Sequence, residues 1–174
     1  MTRYIFLAVI LLTVVLAGAY VYLGGLKQPA VALETPAAPL YLAGQPFRGL
    51  ATDSKFGPLF RRAKEAQDDR RLTGVLANLY LNNPDSATDT IRAFIGLAVA
   101  DTSQALPAGF RYYVVPAGQR VVAARLQGVS YLLAPGVLYP AALEVVKKQS
   151  LQQRSFFLER FGPGEDSEVW VGVK

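Results

Sequence analysis

The sequence predicts an α+β domain made of two strand–helix–strand–strand halves, set behind one long apolar helix. Three observations carry that prediction. The segment from Tyr4 to Leu26 contains no charged residue. The same order of periodicities, alternation then helical spacing then alternation twice, occurs once in each half of the remaining chain. The chain then ends in an apolar hairpin, Ser155–Phe161 and Glu168–Val173, joined by the turn Gly162-Pro-Gly-Glu-Asp166.

The apolar segment is long enough to cross a bilayer, since about 20 helical residues span the hydrocarbon core. Tyr20 and Tyr22 lie near one interface, with Arg3 and Lys27 at the two ends. Ala30-Val-Ala32 resembles a signal-peptidase site, but the apolar block exceeds the roughly 7–15 residues of a signal core. The expectation is an uncleaved anchor over residues 1–27. Arg3 and the terminal amine lean toward a cytoplasmic N-terminus and an extracytoplasmic domain. Residues 28–39, rich in proline and alanine, read as a semi-extended stalk, and 40–174 as the domain.

Within the domain, Tyr41–Ala51 reads as a strand interrupted at Gly44-Gln-Pro46. Pro58 suits a first helical turn, and Phe56, Leu59, Phe60 and Ala63 recur at helical spacing. Leu72–Leu81 alternates with Leu76, Asn78 and Tyr80 on one face, Asn82-Asn-Pro-Asp85 is a turn signal, and Ile91–Ala100 is a central strand. Phe110–Val115 links to the second half through Pro116-Ala-Gly118. Strand Arg120–Leu126 follows. The next helix is broken by Pro135-Gly136 and resumes over Leu138–Gln149, with Pro140 in its first turn.

Composition excludes several chemistries. The chain has no cysteine and no histidine, so it has no disulfide framework, thiol nucleophile, Ser-His pair, imidazole metal site or histidine haem ligand. No cofactor or metal is expected. Its net charge of +5 comes from 18 basic and 13 acidic residues. The basic residues fall in scattered pairs such as Arg61-Arg62 and Lys147-Lys148, a solvated pattern that does not call for nucleic acid.

Glu159 is the residue of interest. Alternation places it between Phe157 and Phe161 on one face of the last hairpin. A carboxylate on a buried face needs a charge partner, a donor or a ligand. Arg125 and Arg154 are candidate structural partners. Glu168 could share the site.

Several stretches, in order, resemble the gyrase-inhibitor-like (GyrI-like) small-molecule-binding domain. They are Tyr80-Leu-Asn-Asn-Pro-Asp85, Arg92–Val99, Phe110–Gly118, Val121–Gly128, Tyr139–Glu144, Phe157-Leu-Glu-Arg-Phe161 and Glu168–Val173. An anchor followed by this domain also resembles the membrane-anchored members found in animals. The resemblance implies a duplicated βαββ antiparallel sheet of the GyrI-like/SOUL type, with two helices and a central groove. In that family the groove binds bulky, often cationic or aromatic molecules over a buried glutamate, and the resemblance implies the same here. By motif position Glu159 is that glutamate, with Trp170, Phe157, Tyr80 and Phe94 lining the groove. At most one of Tyr112 and Tyr113 faces it, and Tyr112 is the candidate. Phe161 stands where relatives often have Tyr, and Val171-Gly-Val173 replaces an Ile-Pro-Ile pattern.

Three functions are open to such a domain. The first is capture of a small amphipathic or cationic ligand. The second is a tethered protein-interaction module with a partner protein in place of the ligand. The third is a hydrolase using Glu159 as base, which lacks a second group to stabilise developing charge. Binding is expected ahead of catalysis.

Overall fold

The computed structural model describes residues 2–22, 26–50, 53–83 and 90–174. An apolar helix, α1 (Thr2–Tyr22), leads into β1 (Ala30–Glu34) and β2 (Leu40–Gly49). Then come α2 (Phe56–Asp68), β3 (Val75–Tyr80), β4 (Ile91–Val99) and β5 (Arg111–Val115). The chain ends with β6 (Val121–Leu126), α3 (Ala134–Lys148), β7 (Gln153–Phe161) and β8 (Ser167–Val173). All eight strands form one antiparallel sheet in the order β1-β6-β8-β7-β3-β4-β2-β5.

That order is symmetric about the β3–β7 pair. Reversal exchanges β3 with β7, β4 with β8, β2 with β6 and β5 with β1. Part of the stretch read as a stalk therefore belongs to the sheet: Ala30–Glu34 pair with Arg125–Val121, as Leu40–Gly44 pair with Val115–Arg111. Each half lends its first strand to the edge of the other. Val31 and Leu33 pack against the core beneath α3. Alanine-rich composition hid this strand, because its hydrogen-bond partners lie far along the chain.

The sheet must curl. β5 and β6 are six strand spacings apart, about 29 Å if flat, yet Val115 and Val121 are joined by a connection that spans at most about 22 Å. Curling packs Leu42, Phe94 and Val115 of one half with Val121, Ala123, Leu158 and Trp170 of the other on the inner face. Gly44 and Gly96 face each other directly in β2 and β4, where a Cβ on Gly96 would stand 2.1 Å from the Ala43 carbonyl oxygen. Both helices cover the outer face, α2 over Leu76, Leu97 and Phe161, and α3 over Val122, Val169 and Val171.

Two prolines sit inside elements. Pro46 is exposed in β2 just past Gly44, where β5 has ended and β2 has one neighbour, so its missing N–H is not needed. α3 starts at Ala134, before the expected Leu138, with Pro135 in its first turn. Pro140 is thus interior. It and Gly136 are exposed, so the Gly136 carbonyl it leaves unbonded faces solvent. Asn82 closes the β3–β4 connection, with its Nδ2 donating to Thr90 O at 2.8 Å and its Oδ1 accepting from Arg92 N at 2.8 Å. Pro84 and Asp85 of the predicted turn lie outside the described residues.

Candidate functional site

Alternation along β7 puts Phe157, Glu159 and Phe161 on the helix-covered face. The β3–β7 register sets Tyr80, Asn78 and Leu76 directly opposite them. Phe157 belongs to the apolar cluster under α3 and Phe161 to the one under α2. Glu159 therefore lies at the seam between the two helices, and only 7% of it is exposed.

Three neutral donors hold its carboxylate. Asn78 Nδ2 donates to Oε2 at 2.9 Å, and the Tyr80 hydroxyl approaches the same oxygen at 3.4 Å. The Tyr139 hydroxyl, reaching down from α3, donates to Oε1 at 3.2 Å. Burial, reinforced by the Glu159 charge, pushes the Tyr80 phenol far above its ordinary range, so it remains a donor at any ordinary pH. Such a set of donors stabilises a buried carboxyl group through dipoles.

The predicted residues divide between the two faces. Glu159, Phe157 and Tyr80 come together. Trp170 pairs with Leu158, Phe94 with Leu79 and Glu168 with Arg160, which places all three on the inner face, away from Glu159. Within one strand alternation is legible, but which parity of β4 or β8 matches that of β7 depends on register. Tyr112 shares the outer face but stands on β5, four strands from β7, and its hydroxyl donates to Gln104 O at 2.6 Å. Arg125 bonds Glu34 and Glu168, and Arg154 bonds Gln119, so neither serves Glu159 in the way expected. Sequence reasoning missed Asn78 and Tyr139 as site residues. Asn78 was detectable, being a polar residue between Leu76 and Tyr80 on a buried face.

One cross-strand pair beyond Asn78–Glu159, Leu76 and Phe161 line a cavity of about 690 Å³. Phe60, Lys64, Tyr131 and Ser167 also border it. The Tyr131 ring stacks on Phe60 at 6.2 Å and meets the edge of Phe161 at 6.2 Å. Aromatic rings thus stand around the cavity, with the acid one pair behind them.

No protein-family model and no curated protein matches this sequence. Solved structures match it in shape. An integron cassette protein from Vibrio cholerae superposes with a TM-score of 0.60 at 13% identity, covering 85% of this chain and 97% of that one. The C-terminal domain of EcmrR gives 0.57 at 13% identity, over 85% and 99%. The fold is the GyrI-like one. A provisionally assigned transcription regulation protein of Staphylococcus aureus MU50 gives 0.55 at 15% identity, again over 85% and 99%. The GyrI-like match takes in nearly the whole of each of these chains, so the likeness is to complete domains.

Proposed function

We propose that this chain is a membrane-anchored binding protein whose GyrI-like domain captures a bulky amphipathic or cationic aromatic molecule between α2 and α3. One observation carries the reading: a buried carboxylate, Glu159, sits at the seam between two helices, one residue pair behind an aromatic-lined cavity. Aromatic rings supply area and cation–π attraction, and the carboxylate supplies charge selectivity. The matched domain of EcmrR belongs to a protein also seen in complex with DNA. The anchor reading rests on α1, whose described side chains are exposed and which is long and apolar enough to cross a membrane. A cleaved signal peptide would leave a chain lacking these residues, which intact-mass measurement of the membrane fraction detects.

The binding test uses the full chain in nanodiscs. Cationic aromatic dyes and neutral isosteres are titrated and followed by dye anisotropy, for wild type and Glu159→Gln. The expected result is about a tenfold weaker affinity for cations alone, about 1.4 kcal/mol. Equal affinity for both proteins, or equal weakening of cationic and neutral dyes, removes Glu159 as counter-charge.

A further inference from the structure

We propose that the end of the domain carrying the cavity rests on the bilayer surface through Tyr131 and Leu132, so that the cavity takes its ligand from the membrane. The ligand class is then an amphiphile that partitions into lipid. This proposal rests on the anchor and capture readings and adds the route between them.

The register fixes which end of the sheet meets the membrane. Lys27 Nζ donates to the carbonyls of Gln127 and Gly128 at 2.9 and 3.0 Å. Ala30 pairs with Arg125, so β1 enters the sheet at the C-terminal end of β6. Moving across the sheet along that end, Leu126 pairs with Ser167, Ser167 with Phe161, and Phe161 with Leu76. The last three line the cavity. Tether and cavity therefore share one end of the molecule.

The tether is short. Tyr22 closes α1, and Lys27 lies five residues on, a reach of at most about 18 Å. Lys27 is bonded to the loop that leads into Tyr131 and Leu132. Beyond α1, four large apolar side chains among the described residues are at least half exposed: Leu26, Leu50, Tyr131 and Leu132. Three of the four are at the tethered end, and Leu132 is 75% exposed. A tyrosine beside a leucine suits the headgroup–acyl boundary, where an amphipathic ring sits with its hydroxyl in water. Tyr131 also borders the cavity and packs on Phe60 and Phe161. The same side chain thus faces lipid on one side and the cavity on the other. The cavity rim is charged in both signs, with exposed Arg61, Lys64 (paired with Asp68), Glu65 and Asp166, as suits a headgroup zone.

The absence of cysteine makes the test clean. Leu132→Cys and Ser155→Cys variants of the full chain carry a polarity-sensitive fluorophore in phosphatidylcholine–phosphatidylglycerol vesicles, with doxyl-labelled lipid as quencher. Ser155 is exposed and lies about 20 Å along β7 from Phe161. The expected result is strong quenching at 132 by shallow doxyl groups and none at 155. A chain that floats with the vesicles but shows equal signals at the two sites overturns the proposal and leaves the anchor standing. A chain that does not float overturns both. In a second arm, Leu132→Lys should lose uptake of a long-chain cationic dye delivered in vesicles, while binding of a water-soluble cationic dye is unchanged. Loss of both overturns the membrane route, and Glu159→Gln on the soluble dye reports the capture reading separately.

Discussion

The two halves of the domain differ most where they meet. Asn78 and Glu159, 81 residues apart, face each other across the pair about which the strand order is symmetric. The same offset carries Ala30–Glu34 onto Arg111–Val115 and Tyr80 onto Phe161. At equivalent positions the first half thus places an amide and a phenol, and the second a carboxylate and a phenyl ring. A strictly repeated sequence would set two acids, or two amides, side chain to side chain. With one of each, the amide donates and the acid accepts at 2.9 Å. Departure from the repeat is what sets one carboxyl group against one amide at the seam.

Restoring the repeat should break the site. Asn78→Asp puts two carboxylates in contact in a buried place and removes a donor. A destabilisation of about 3 kcal/mol is expected at neutral pH, read from urea unfolding of the full chain in detergent. Like charge and burial raise the pKa of the pair above the unfolded carboxyl value. The folded state then binds more protons than the unfolded one, so stability falls as pH rises through the folded pKa. The variant should come closest to wild type near pH 4. A loss that does not change with pH would show that only the hydrogen bond mattered.

Sharpening the comparison means trimming the donors. Tyr139→Phe and Tyr80→Phe each remove a hydroxyl while keeping the ring. Contacts of 3.2 and 3.4 Å are long, so each change should cost about 1 kcal/mol, with Tyr139 the larger. If Tyr80→Phe costs more, its hydroxyl moves closer to Glu159 in solution than it stands here.

Much of this was legible beforehand because it is local. Periodicity gave the helices and most strands, and alternation gave the shared face of Phe157, Glu159 and Phe161. What was not legible depends on pairing between distant segments. The resemblance puts Trp170 and Phe94 in the groove, and Glu168 is a candidate to share the site, but register turns all three to the inner face. Tyr139 was hidden by the helix expected to begin at Leu138, which made it a first-turn residue when it is a buried one reaching the sheet. The strand at Ala30–Glu34 was hidden by composition, since an edge strand completed by β6 needs little apolar content of its own.

That edge strand supplies the smallest test of the comparison. β5 joins its partner within the body of the domain, whereas β1 lies next to the anchor and is fastened by an ion pair: Arg125 bonds Glu34 in two contacts, at 2.5 and 2.7 Å. The Arg125 guanidinium holds the Glu34 carboxyl below its ordinary range. Its folded pKa lies under the unfolded one, so this contribution is full above the unfolded value and is lost as pH falls through the folded pKa. Both side chains are about a third or more exposed, which limits the pair to about 0.5 kcal/mol. Glu34→Gln should therefore lower stability slightly at pH 7, and the loss should fade as pH falls through the lowered folded pKa. Hydrogen exchange should show the loss as faster opening of Val31 and Leu33, with β5 unchanged. Equal acceleration in β5 would mean that the two edges open together and that the anchor-side strand has no separate fastening.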